Sequence, residues 1–139
     1  MKAFVDTNIF VFGLLFHKTN SRMILDLAES KEFEVIVSEL VLDEIKRFFY
    51  ENYGEQGAYN AMKYVKTLSK LVLRESVKKE IRMYSGKIAE KDLENLATAR
   101  HERVDFLLSY DRDYQHIKEY ITPKEFVKKL KLKAFETEY

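Results

Sequence analysis

Ala3-Phe4-Val5-Asp6-Thr7-Asn8 is a short apolar run that stops on a carboxylate, and the arrangement returns at Phe106-Leu107-Leu108-Ser109-Tyr110-Asp111. An uninterrupted apolar run of this length reads as a strand covered on both faces, as in a parallel sheet. Val35-Ile36-Val37 is a third such run, Leu71 to Leu73 a weaker one and Tyr120-Ile121 a very short one. Stretches of helical period lie between them. Strands alternating with helices predict an α/β fold, a three-layer α/β/α sandwich with a central parallel sheet. In open parallel sheets, ligand sites lie beyond the carboxyl ends of the strands, and that is where Asp6 and Asp111 would stand.

Two further acids belong to helical stretches. Ser38 to Tyr50 is the clearest helix: Ser38 caps its start, and Val41, Ile45, Phe48 and Phe49 share one face. Glu44 falls on the margin of that face, whereas Glu39 and Asp43 point the other way. A second helix runs from about Glu90 through Arg103, with Leu93, Leu96, Ala97 and Ala99 inward. Asp92 sits in its first turn, where the helix dipole favours an anion, and projects between Leu96 and Ala99; Glu94 is expected to face outward. Carboxylates gathered at one sheet edge repel one another unless a cation neutralises them, so the pattern points to a divalent metal. Asp6, Glu44, Asp92 and Asp111 form the candidate catalytic and metal-binding set. Taken singly, each has an ordinary reading: Asp6 as a helix cap, Asp111 as a turn residue, Asp92 as a dipole partner, Glu44 in an ion pair.

The chain has 139 residues and no Pro-, Gly- or Ser-rich linker, which fits one domain spanning 1–139. Apolar residues make up 46%, enough for a substantial core. With 24 basic and 23 acidic side chains the net charge is +1, so a nucleic-acid partner must meet a local basic patch. Arg100, Arg103 and Arg112, with Lys87 and Lys91, lie near the acidic motifs as candidate phosphate contacts. Lys124, Lys128, Lys129, Lys131 and Lys133 make the following segment basic. There is no cysteine, which excludes disulfides, thiolate metal sites and cysteine nucleophiles and fits a cytoplasmic address. The three histidines lack zinc-site spacing. Ile9 to Phe16 is far shorter than the roughly 20 residues a membrane helix needs, so no membrane association is expected. Phe10, Phe12, Leu14, Leu15 and Phe16 make the first helix apolar nearly all round. Either that helix is fully buried, or it lines a groove for a second copy or a partner peptide.

Four motifs in order carry a family resemblance: Phe4-Val5-Asp6-Thr7-Asn8; Ser38-Glu39-Leu40-Val41-Leu42-Asp43-Glu44; Asp92-Leu93-Glu94-Asn95-Leu96-Ala97-Thr98-Ala99; and Leu107-Leu108-Ser109-Tyr110-Asp111-Arg112-Asp113-Tyr114. Together they resemble the PIN-domain family over residues 3 to about 128. The resemblance implies an α/β/α domain that holds Mg²⁺ or Mn²⁺ through Asp6, Glu44, Asp92 and Asp111. Asn8 and Ser109 match accessory polar positions, and Asp113 assists in the last motif. The implied activity is that of a metal-dependent endoribonuclease, hydrolysing phosphodiester bonds of single-stranded or structured RNA. Within the family the chain looks like the VapC-type toxin ribonucleases of toxin–antitoxin pairs, which dimerise and are held inactive by an antitoxin segment. RNA, an antitoxin protein and a second copy are the implied partners. A rival reading is a non-catalytic RNA-binding or assembly module on the same fold. A haloacid-dehalogenase-type phosphatase would need a second Asp two residues after Asp6, where Asn8 stands.

Overall fold

In the computed structural model, which describes residues 1–139, five short strands form one parallel sheet. They are β1 (Lys2–Val5), β2 (Glu34–Ser38), β3 (Ser69–Val72), β4 (Phe106–Leu108) and β5 (Tyr120–Ile121), in the spatial order β3-β2-β1-β4-β5. Phe4, Val5, Ile36, Leu107 and Leu108 are completely buried, the signature of strands covered on both faces. Six helices provide the cover: α1 (Thr7–Leu15), α2 (Asn20–Glu29), α3 (Glu39–Leu68), α4 (Lys78–Tyr84), α5 (Glu90–His101) and α6 (Pro123–Lys129). The connections β1→β2→β3 step along the sheet in one direction, and right-handed crossovers place their helices on one face. There α1 packs on α2 and α3, and α2 on α6. The return from β3 to β4 carries α4 and α5, which pack together on the other face. The expected three-layer α/β/α sandwich with a central parallel sheet is the observed architecture.

Chain direction across the sheet reverses between β1 and β4. Such a switch point opens a crevice at the carboxyl ends of the strands, and Asp6 follows β1 there while Ser109 and Asp111 follow β4. The two strand ends are stitched by Asp6 N–H donating to Leu108 O at 3.0 Å. Behind them α1 lies close on α2. A Cβ at Gly13 would meet Leu25 Cδ1 at 2.6 Å and Ser21 O at 3.0 Å, so glycine is what permits that approach.

Three element boundaries differ from the sequence expectation. The helix that starts at Ser38 does not end at Tyr50 but continues to Leu68, broken only at Gly54 (φ 75°, ψ −169°), a conformation reserved for glycine. Its second half buries Ala58, Ala61 and Val65 at helical spacing, a stripe of small residues that gives a weak apolar signal. The helix expected through Arg103 stops at His101, and Arg103 itself adopts a left-handed turn (φ 51°). The third strand begins two residues early, at Ser69, because its pairing with Val35–Ser38 sets the register.

Candidate active site

At the switch point Asp6 ends β1 and caps α1. Its Oδ1 accepts from Thr7 N–H at 2.8 Å, so the ordinary capping role is present. The other oxygen, Oδ2, accepts from Ser109 Oγ at 2.6 Å. Ser109 Oγ in turn accepts from Asp111 N–H at 2.9 Å, so one buried hydroxyl ties the first acidic motif to the last. Burial pushes the Asp6 carboxyl up to about 6, against the lowering effect of the Ser109 and Thr7 bonds; the charges of Glu44 and Asp111 add to the rise. An acid raised in this way is one whose ionised form lacks compensating positive charge.

Three other carboxylates converge beside it. Asp92 from the first turn of α5, and Asp111 and Asp113 from the turn after β4, present oxygens that all lie within 4.8 Å of one another. The ammonium of Lys91 stands among them, 3.4 Å from Asp92, 3.1 Å from Asp111 and 2.9 Å from Asp113. Its ionisation is held above the ordinary lysine value, by hydrogen bonds to Asp113 first and Asp111 second. Asp92 is buried, and its Oδ2 has no hydrogen bond; the exposed Lys91 ammonium, 3.4 Å away, is its one cationic neighbour. A buried carboxylate oxygen left in that state is costly unless a cation serves it. Hard oxygen ligands in this number suit Mg²⁺ or Mn²⁺, so these residues fit a divalent cation.

Asp113, an accessory position in the sequence reading, thus stands in the tight trio. Asp6 and Glu44 lie just outside it. Glu44 is exposed at the crevice mouth rather than at the edge of the core, and Thr7 Oγ1 donates to its Oε1 at 2.7 Å. Asn8, also exposed, shares the mouth with Glu44 where an apolar groove of about 820 Å³ opens between α1 and α3. Val11, Phe12, Leu15, Phe16 and Phe48 line that groove. The first helix is therefore neither fully buried nor free: Ile9 and Phe10 are in the core, while Phe16 is 52% exposed.

A buried polar chain holds the trio from behind. Val41 N–H donates to Ser38 Oγ (3.0 Å), Ser38 to Asn95 Oδ1 (2.7 Å), and Asn95 Nδ2 to the Tyr114 hydroxyl (3.2 Å). Asn95 lies three residues beyond Asp92, on the same side of α5, so it fixes that helix end against β2 and the turn after β4. Neither Asn95 nor Tyr114 stands out in the sequence as a site residue. Their signal was a polar residue in the inward arc of α5 and a tyrosine directly after the acidic turn.

Two groups of expectations need correcting. Glu94 does not face outward: its side chain is 11% exposed, accepts from Leu40 N–H at 2.9 Å and pairs with Arg74. The outward prediction failed because α5 has α3 and the turn before α4 packed on that flank as well. Arg100 and Arg103 do not reach the acids. Eight residues of helix separate Asp92 from Arg100, about 12 Å, and Arg100 is engaged with Glu119 at 2.7 Å and the Tyr84 ring. Arg103 lies beyond the far end of α5. Of the three candidate phosphate contacts, Arg112 alone stands at the active edge.

Solved structures share this architecture. A toxin–antitoxin complex from Klebsiella pneumoniae aligns with a TM-score of 0.67 at 21% identity, covering 88% of this chain and 98% of that one. VapBC2 from Rickettsia felis, bound to a DNA fragment from its promoter, gives 0.61 at 18%, with 88% and 97% covered. VapC20 of Mycobacterium tuberculosis, described as a sarcin–ricin loop cleaving toxin, gives 0.60 at 20%, with 84% and 95% covered. At these identities the likeness is one of fold. No curated protein matches the sequence. The sequence model of the PIN domain matches residues 2–113, four-fifths of the chain and all four acidic motifs, and the protein belongs to the PIN-domain family.

Proposed function

We propose that this protein is a divalent-metal-dependent endoribonuclease, a single nuclease domain over residues 1–139 that acts as the toxin of a toxin–antitoxin pair. The observation that carries the reading is the buried Asp92 oxygen without a hydrogen bond, set in a trio of carboxylates at the switch point of a parallel sheet. Asp92, Asp111 and Asp113 hold Mg²⁺ or Mn²⁺, which when bound neutralises them and polarises a phosphodiester oxygen. Asp6, fixed by Ser109 and the Thr7 N–H, and Glu44, fixed by the Thr7 hydroxyl, orient the attacking water and receive its proton. Ser109 keeps Asp6 in place, and Asn8 stands exposed beside Glu44 at the crevice mouth. Lys91, released by the cation, and Arg112 take substrate phosphate oxygens.

The toxin assignment is supported by the fold shared with VapC structures and a toxin–antitoxin complex. The apolar groove beside Glu44 suits an antitoxin segment, and the exposed Tyr50, Tyr53 and Tyr59 of α3 suit a homodimer contact. No helix is long and apolar enough to cross a membrane; a cytoplasmic site of action belongs to the same proposal.

Incubation of the protein with a panel of single-stranded and structured RNAs, with Mg²⁺ or Mn²⁺, tests the reading. Cleavage that is lost both in EDTA and in Asp6→Asn is expected. Cleavage that persists in EDTA, or a pure folded protein that neither cleaves nor binds metal, would overturn it and leave a binding module on a nuclease fold.

A further inference from the structure

One strand further along the same sheet edge, at the carboxyl end of β5, lies a cavity of about 430 Å³. Its cations come from two elements: Arg112 directly follows Asp111 in the turn after β4, and Lys124 and Lys128 belong to α6. Tyr110 and Tyr120 line its floor. Two acidic residues line it, Glu125 and Glu138, and Glu125 is already committed to the capping box of α6, accepting from Thr122 Oγ1 at 2.7 Å and from the Thr122 N–H. A strand leaving the carboxylate trio in this direction would meet Arg112 and then the α6 lysines.

The segment Phe135-Glu136-Thr137-Glu138-Tyr139 lies across that path. It is pinned at its odd positions. Asn20, completely buried, donates to Phe135 O (3.2 Å) and Thr137 O (2.8 Å) and accepts from Phe135 N–H (2.8 Å). Ser21 N–H donates to Tyr139 O, and the Tyr139 ring packs between Phe12 (4.3 Å) and Tyr110 (5.5 Å). The chain bends at Glu136 and Thr137, and the side chains of Glu136 and Glu138 are left exposed on the side of the cations. Glu138 pairs with Arg112 at 3.4 Å, and Glu136 reaches Lys124 at 3.8 Å while its carbonyl accepts from the same ammonium at 3.0 Å. The backbone anchors converge on the buried Asn20, whereas the ion pairs are exposed: Arg112 is 79% and Glu138 71% accessible. Exposed pairs of this kind are weak and screened by salt, so phosphates can take their place without the segment unfolding.

We propose that Glu136 and Glu138 are built-in stand-ins for phosphates: they occupy two cations, Arg112 and Lys124, of a single-stranded RNA track that continues to Lys128, and RNA must displace them to bind. The proposal rests on the ribonuclease reading and adds to it a subsite and an internal competitor. The segment raises the affinity threshold an RNA has to pass, without touching the carboxylates that do the chemistry.

Binding of a fluorescent single-stranded RNA of about 20 nucleotides, followed by polarisation in EDTA, reads the track separately from cleavage. Glu136→Gln/Glu138→Gln is expected to bind about fivefold tighter than wild type with an unchanged melting temperature, because the Asn20 bonds go to backbone. Arg112→Gln/Lys124→Gln is expected to bind more weakly, with a salt dependence shallower by about 1.4 in log–log slope. In that background the two glutamine substitutions should do nothing. Equal affinity of wild type and Glu136→Gln/Glu138→Gln would overturn the competitor while leaving the ribonuclease reading standing. So would an equal gain with and without the two cations, since that is a mere net-charge effect. No RNA binding by any variant would sink the ribonuclease reading and the proposal with it.

Discussion

Two places in this molecule gather three carboxylates around one cation, and they are built for opposite ends. Arg74, in the turn after β3, binds Glu39 and Asp43 of α3 at 3.3 Å each and Glu94 of α5. Lys91 lies among Asp92, Asp111 and Asp113 at 3.4, 3.1 and 2.9 Å. A guanidinium has five N–H donors in a planar fork and matches carboxylates in fixed geometry. The remaining needs around Arg74 are met by backbone: Leu40 N–H donates to Glu94, and Arg74's own N–H donates to Glu39. An ammonium is a point charge on a flexible stem. Around Lys91 an Asp92 oxygen goes without a hydrogen bond, and the neighbouring Asp6 is raised to about 6. The first cluster is a clamp that is complete as it stands. The second is short of positive charge, which the proposed divalent ion would supply.

The contrast can be broken at several points. The largest effect is expected for Asp92→Asn: cleavage should fall by a factor on the order of 10³ while the circular dichroism spectrum stays unchanged, since Asn95 still holds the helix end. Next is the pH dependence of metal-free stability. The folded value of Asp6 lies above its unfolded value of 3.8, so the native state binds more protons between the two. Stability should therefore fall as pH rises from about 4 to 6 and stay flat above, a loss of about 3 kcal/mol. Asp6→Asn removes that component, so at pH 7 without metal it should melt no lower than wild type. Melting well below wild type would reduce Asp6 to a structural cap.

Arg74→Met should destabilise by about 2 kcal/mol in urea, equally with and without Mg²⁺, because Glu94 is left buried and unpaired. Lys91→Met should cost under about 1 kcal/mol without metal yet tighten Mn²⁺ binding about fivefold. If both substitutions behaved alike in metal titrations, the distinction between clamp and centre would be lost. The smallest effect belongs to Asp43→Asn: Asp43 is 59% exposed at the rim of the clamp, and cleavage should be unaffected.

Much of this was legible in the sequence, for reasons that differ by residue. Asp6 and Asp111 announced themselves because buried parallel strands are uninterrupted apolar runs, and the residue after such a run has nowhere to go but the sheet edge. Asp92 was legible from helical phase: it falls on the same arc as Leu96 and Ala99. Phase alone misplaced Glu94, because a helix flanked on two sides buries more than one stripe, and its partner Arg74 comes from a turn whose position depends on β3 docking beside β2. Arg100 and Arg103 looked close to Asp92 in sequence, but a helix carries residues away along its axis. The pairing of Lys91 with three acids joins two segments across space, which no spacing rule encodes. The strap over Arg112 likewise depends on Asn20, more than a hundred residues away from the segment it pins.

Titration of Mn²⁺ into metal-free protein by calorimetry, for wild type and Asp92→Asn side by side, reads directly whether the carboxylate trio holds a metal ion. Saturable binding by wild type that is abolished in Asp92→Asn, with both proteins folded, is the expected result. No binding by folded wild type, or equal binding by Asp92→Asn, would contradict the assignment of this carboxylate trio as a metal centre.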